Sequence, residues 1–335
     1  HLLFQYGESV GYLPLRNAIS EWLREIRGID CSASQIIIIS GSQQGIDLTS
    51  RVLFDRGERV WIEDPNYPGT YDSLSAAGAE VVPVPLDGDG INLKTGADMS
   101  QIPKAVYVTP SSHFPLGQIM SLNRRLEILE WAERENVWIV EDDEGSEFRY
   151  TGSPFMALKG LDTTDRVIYL GTFTRLLFTS LRLGFLVVPK ALSGYFRRAI
   201  SVTTSHPSTM EQAALSEFIR EGYLSRHIRR IRAVCSERKQ ILVRLINAEL
   251  NEFIEIKNVD AGMNLIGTLK NGLKDIEIAE AAFARGINVS PLSGFCVKVK
   301  LPDSLLFGFT SLDEKEMKRG VLGLREVFEN FSRRI

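Results

Sequence analysis

The sequence predicts an α/β architecture, a seven-stranded, mostly parallel sheet sandwiched by helices, followed by a smaller C-terminal α+β domain. Three features predict it. Seven short apolar runs recur between residues 36 and 188 and barely alternate with polar residues, as expected of strands covered on both faces. Helical periodicity separates most of them, for example over residues 122–134. From about Pro189 the chain changes to long helical patterns and then to a shorter mixed region.

In chain order, a helix is predicted over residues 14–26. Pro14 suits a first helical turn, Leu15, Ala18, Ile19, Trp22, Leu23 and Ile26 recur at helical spacing, and Gly28 ends it. The strands follow at 36–39, 60–62, 81–84, 105–108, 137–140, 167–170 and 185–188. Residues 226–244 carry seven Lys or Arg against the single acid Glu237, while Ile228, Ile231, Val234 and Ile241 form an apolar face, so this stretch reads as a surface helix linking the domains. Residues 261–269 and 286–291 are the candidate strands of the second domain. The expected division is an arm and helix at 1–30, a large domain at 31–230 and a small domain at 231–335.

Composition excludes several classes. With 44% hydrophobic and 24% charged residues the chain is globular rather than disordered, and 39 basic against 42 acidic residues leave a net charge of −3, with no field to attract nucleic acid. No apolar run approaches the roughly 20 residues of a membrane span. Cys31, Cys235 and Cys296 are odd in number and widely spaced, which suits neither a disulfide framework nor zinc and points to a reducing cytoplasm. The start at His1 shows no secretory pattern, and the chain is expected to be part of a longer one.

Chemistry concentrates in a few segments. The strand at 36–39 enters Ser40-Gly41-Ser42-Gln43-Gln44-Gly45 and a helix, either a plain turn or a cradle of backbone N–H groups for an anion. In Glu63-Asp64-Pro65-Asn66-Tyr67-Pro68-Gly69 two prolines bracket an aromatic, either a core tyrosine or a plate for stacking on a planar ring. The strand at 137–140 delivers Glu141-Asp142-Asp143-Glu144 at its C-terminal end, either a solvated cap or part of a ligand site. His206 and His227 have no pattern of a metal site or triad.

Residues 171–184 read Gly-Thr-Phe-Thr-Arg-Leu-Leu-Phe-Thr-Ser-Leu-Arg-Leu-Gly. Together with Gly11 to Arg16, Ser40 to Gln44, Glu63 to Gly69, Thr109 to Ser111, Ser146 to Tyr150 and Glu211 to Ala214, the segment resembles the aminotransferase-like domain of the MocR subfamily of GntR transcription regulators. The resemblance covers essentially the whole chain and implies a fold type I architecture built around pyridoxal phosphate (PLP). It assigns a phosphate cup to Gly41, Ser42 and Gln43, a ring-stacking role to Tyr67, the ring-nitrogen partner to Asp142 and an anion contact to Arg182.

The departures from that family are as informative. Its usual Gly-Thr-Phe-Ser-Lys wording places the Schiff-base lysine at Arg175 and a serine at Thr174. A guanidinium stays protonated and is a poor nucleophile, so Arg175 cannot form the imine. Glu144 stands for a tyrosine, Ser112 for a histidine and His113 for a glutamine, and residues 306–309 read Leu-Phe-Gly-Phe near where many relatives place a substrate arginine. The expectation is a ligand-sensing domain with no catalytic residue and no metal, in which PLP binds at most non-covalently. Its partners would be a small-molecule effector, a second copy in a homodimer, and DNA through a winged-helix segment outside this chain. The rivals are a PLP enzyme using Lys159 or Lys190, and a scaffold without ligand. Glu144 and Arg175 are expected to face one another, either pairing as a buried ion pair or clamping a zwitterionic or anionic effector.

Overall fold

The computed structural model describes residues 5–150, 152, 155–204, 208–257 and 261–332. Helix α1 (Leu13–Arg27) buries Leu15, Ile19, Trp22 and Leu23, and Gly28 caps it at φ 66°, its N–H donating to the Leu23 carbonyl. The chain then alternates through β1 (Ile36–Ile39), α2 (Ser42–Leu53), β2 (Arg59–Asp64), α3 (Pro68–Ala76), β3 (Glu80–Asp87), β4 (Gly90–Ile91), α4 (Leu93–Met99) and β5 (Ala105–Val108). It continues through α5 (Leu122–Glu135), β6 (Trp138–Asp142), α6 (Leu158–Leu161), β7 (Val167–Thr172), β8 (Gly184–Val187), α7 (Ser193–Thr203) and α8 (Thr209–Arg220).

These strands form one sheet in the order β1-β8-β7-β6-β5-β2-β3-β4. All seven predicted strands are present, and the two-residue β4 pairs antiparallel with β3 to add an eighth at the edge. The central pairings β3/β2, β2/β5, β5/β6 and β6/β7 are parallel. β8 runs antiparallel to both β7 and β1. Strand β1 shows why its residues do not alternate in polarity. Ile36 and Ile38 join the apolar cluster that includes α1, whereas Ile37 and Ile39 join the cluster beneath α2 and α7. Both faces are covered, so both need apolar side chains.

Helix α9 (Tyr223–Glu249) is longer than the predicted 226–244 and runs unbroken through residue 230. Leu224, Ile228, Cys235, Leu242 and Ile246 form its buried face, while Arg226, Arg229 and Arg230 are exposed. β9 (Ile254–Lys257), β10 (Asn264–Leu269), α10 (Asp275–Phe283), β11 (Ser290–Pro291), β12 (Ser304–Gly308) and α11 (Glu314–Ser332) complete the C-terminal part. Its four-stranded antiparallel sheet has the order β11-β12-β10-β9. β10 and β11 fall inside the two predicted runs. β9 and β12 were not predicted: β9 mixes Ile254 and Ile256 with Glu255 and Lys257 over only four residues, too short a run to separate from a loop.

Candidate functional site

The parallel strands deliver Glu63 and Asp64 from β2, Thr109 just after β5, Asp142 from β6 and Thr172 from β7 to one edge of the sheet. That edge, at the carboxyl ends of the strands, is where open α/β sheets bind ligands. A cavity of about 430 Å³ opens there, and Gly41, Ser42, Gln43, Tyr67, Asp142, Glu144, Arg175 and Arg182 all line it.

At one end of the cavity β1 turns through Ser40 and Gly41 into α2. Gly41 has φ 87°, a backbone conformation that favours glycine, and the Arg182 guanidinium lies 3.4 Å from where its Cβ would stand. Arg182, itself left-handed at φ 50°, donates from Nη2 to the Ser40 carbonyl at 3.3 Å. Gln43 uses its side-chain amide on the Gly69 carbonyl at 3.1 Å and on the Ser73 hydroxyl, which ties α2 to α3 and leaves its backbone to the cavity. A helix N-terminus beside an arginine is an anion site by its electrostatics.

Tyr67 stands before α3 and is 49% exposed, so the core-tyrosine reading is overturned. Its ring makes an edge contact with Phe114 at 6.4 Å, and Phe114 in turn meets Phe295 edge-on at 5.2 Å. The ring also lies against Gly69, where a Cβ would come within 2.4 Å of it.

The four acids at the end of β6 separate by the alternation of a strand. Glu141 and Asp143 turn into structure. Glu141 accepts the backbone N–H groups of Leu158 and Lys159 at 2.8 Å each, and Asp143 Oδ2 forms an ion pair with Arg27, 2.8 Å from Nε, and accepts the Tyr169 hydroxyl at 2.5 Å. Asp142 and Glu144 line the cavity instead. Asp142 is buried and accepts the Tyr107 hydroxyl. Burial, reinforced by the charge of Glu144, pushes its carboxyl up to about 8. The solvated-cap reading of this run is overturned, since Glu141, Asp142 and Asp143 are all buried.

Glu144 and Arg175 pair, Arg175 Nε donating to Glu144 Oε1 at 2.6 Å. The side chains stay 33% and 52% exposed, so the pair spans the rim and is not the buried ion pair expected from the sequence. Thr174, beside it, has a buried hydroxyl with no hydrogen-bond partner among the described residues.

Other groups at this edge stand in segments the sequence marked, but with no role assigned to them individually. Glu63 is buried and accepts both the N–H of Thr109 at 2.8 Å and its hydroxyl at 2.6 Å, and burial raises its carboxyl to about 7. His113 Nε2 lies 3.0 Å from the Pro65 carbonyl, and burial lowers the imidazole to about 4. It is therefore neutral, Nε2 donating, and its 3.7 Å approach to Glu63 is not an ion pair at neutral pH. Asp64 takes the backbone N–H groups of Val297, Lys298 and Val299 at 2.8–2.9 Å, joining the sheet edge to the C-terminal part. Of the two histidines, His227 bonds the Leu176 carbonyl through Nε2 at 2.8 Å, a structural role, and His206 lies outside the described residues. Lys159 is paired with Asp165 at 2.7 Å, and neither it nor Lys190 lines the cavity.

Residues 1–324 match the family described as aminotransferase class I and II. The chain is 41% identical over 326 residues to the probable rhizopine catabolism regulatory protein MocR of Rhizobium meliloti, covering 97% of this chain and 66% of that protein. It is 32% identical over 329 residues to the uncharacterized HTH-type transcriptional regulator YdeL of Bacillus subtilis, covering 98% of this chain and 70% of that one. It thus spans about two thirds of the length of these relatives. Among solved structures, the kynurenine aminotransferase of Pyrococcus horikoshii superposes with a TM-score of 0.89 at 28% identity, covering 98% of this chain and 83% of that one.

Proposed function

Because the chain belongs to the class I and II aminotransferase family, we propose that it is the ligand-sensing domain of a MocR-type regulator of the GntR group, holding an effector without catalysing amino-group transfer. The observation that carries this reading is that no lysine lines the cavity among the described residues, while Arg175 does. The match of the 171–184 segment to the family wording puts Arg175 in the place of the Schiff-base lysine. The regulators it resembles support the rest of the reading, since two of them cover nearly all of this chain and extend beyond it.

The cradle of Gly41, Ser42, Gln43 and Arg182, the half-open ring of Tyr67 and the Asp142 carboxyl fit a phosphorylated pyridine ring held non-covalently. When bound, PLP supplies an electron sink. The residues here would do no more than bind and orient it. Against the enzyme alternative, Lys159 is engaged on Asp165 and neither it nor Lys190 lines the cavity.

In this reading DNA is bound by a winged-helix segment outside these residues, two copies pair as a homodimer, and the protein works in the cytoplasm. The division at residues 30 and 230 is retained, with α9 as the element shared by the large and small domains. No helix among the described residues is long and apolar enough to cross a membrane. The test is to read the codons upstream of His1, express the longer protein and follow its binding to the DNA flanking its own gene with and without added ligand. Ligand-dependent DNA binding without amino-group transfer supports the reading. Transfer from an amino acid to PLP by the purified chain would overturn it.

A further inference from the structure

The charges around the cavity do not cancel locally. Arg175 engages Glu144 through Nε alone, and no partner is described for either of its terminal nitrogens, Nη1 or Nη2. A guanidinium held by one edge presents its other donors in a fixed planar fork, the geometry that matches a carboxylate. Glu144 therefore acts as a brace that fixes the direction of this fork. The pair stands on the rim with Arg175 52% exposed, so an incoming ligand can reach those nitrogens without breaking the contact to Glu144.

The cavity lining carries two arginines, Arg175 and Arg182, and the acids Glu63, Asp142 and Glu144. Of these acids, Asp142 is raised to about 8 and Glu63 to about 7, so Asp142 is mostly neutral and Glu63 about half so near pH 7. His113 is neutral as well. Arg182 belongs to the helix end of the cavity through Gly41 and Ser40, which leaves Arg175 as a separate anion receptor.

We propose that Arg175, braced by Glu144, is the receptor for a carboxylate of the ligand, and that the ligand is recognised as a small organic anion with no amine required. The proposal rests on the effector-pocket reading above and deepens it by naming the ligand chemistry. Among the described residues no lysine lines the cavity, so a ligand amine has no imine to exchange with there and the carboxylate is left as the group for Arg175 to hold.

The test uses isothermal titration of the 335-residue chain with 2-oxoglutarate (carboxylates, no amine), L-glutamate (carboxylates and amine), butylamine (amine alone) and inorganic phosphate. Both carboxylates should bind and butylamine should not. Arg175→Gln should weaken the carboxylates roughly ten- to hundredfold, the loss expected for a charge-assisted pair of hydrogen bonds. Arg175→Lys should fall between, keeping the charge but losing the fork. Arg182→Gln should act chiefly on phosphate. Unchanged thermal melts confirm that the variants are folded, and Glu144→Ala, which removes the Oε1 acceptor of Arg175 Nε, gives an independent second variant expected to weaken the carboxylates.

Carboxylate affinity unaltered by Arg175→Gln, absence of carboxylate binding to the wild type, or butylamine binding as tightly as 2-oxoglutarate would each overturn the assignment. If only the carboxylate results fail while phosphate still binds and responds to Arg182→Gln, the effector pocket stands without this receptor. If none of the probes binds, both fall.

Discussion

Arg175 Nε and Glu144 Oε1 lie 2.6 Å apart, yet both side chains remain substantially in solvent. Proximity and energetic weight are different properties here. Exposed ion pairs contribute about 0–1 kcal/mol, because solvent screens them and two long side chains must be ordered. Arg175→Ala should therefore change the unfolding free energy by no more than about 1 kcal/mol. A double-mutant cycle with Glu144→Ala, read by urea titration, should give a coupling of the same small size.

The opposite outcome is expected at Arg27 and Asp143, which meet at 2.8 Å with side chains only 4% and 0% exposed. Arg27 also donates to the Ser111 hydroxyl at 2.7 Å, and the charge of Asp143 raises the guanidinium further above its ordinary range. Arg27→Ala leaves a buried carboxylate without its counter-charge and should cost about 3–5 kcal/mol in the same titration. A cost under about 1 kcal/mol would mean that water reaches Asp143.

Stability should fall as pH rises from 6.5 to about 8. Asp142 has its carboxyl raised from 3.8 to about 8, so between those values the folded state holds a proton that the unfolded state has lost, and stability declines with pH across that window. Glu63, raised from 4.5 to about 7, acts in the same direction over the lower part. His113, lowered from 6.5 to about 4, acts in the opposite direction but only below 6.5. Asp142→Asn keeps an acceptor for Tyr107 and should flatten the decline, measured by denaturant titration across the range. An unchanged slope would remove Asp142 as its source.

Incubation with PLP followed by borohydride should leave no pyridoxyl mass on any defined lysine of the wild-type chain, since none lines the cavity among the described residues. Arg175→Lys should gain such an adduct at residue 175, located by peptide mass spectrometry. An adduct on Lys159 or Lys190 in the wild type would revive the enzyme reading.

Two copies of the chain should associate without DNA. Tyr195, Val202 and Met210 on α7 and α8, and Leu13 at the start of α1, are large apolar side chains between 47% and 79% exposed. Obligate interfaces bury more than about 2,000 Å² and are apolar. Sedimentation at micromolar concentration should give a dimer, and Val202→Asp should shift it toward monomer.

The sequence by itself determined whatever depends on local pattern. The seven strands could be read because each is buried on both faces over a few consecutive residues, and α1 because proline, apolar spacing and Gly28 act within its own turns. The eight residues that the family resemblance singles out, from Gly41 to Arg182, line one cavity, whereas the same segments read by themselves left a plain turn, a core tyrosine and a solvated cap open. Tertiary structure alone decided how distant segments share charge and solvent. The antiparallel course of β8, the reach of Asp64 to N–H groups 233 to 235 positions away, and the division of four consecutive acids into structural and cavity-facing pairs all depend on which surfaces meet. Arg175 and Glu144 show the difference most directly. Their juxtaposition was foreseeable from two substitutions, but their exposure was not, because desolvation is set by everything packed around a pair and not by the pair itself.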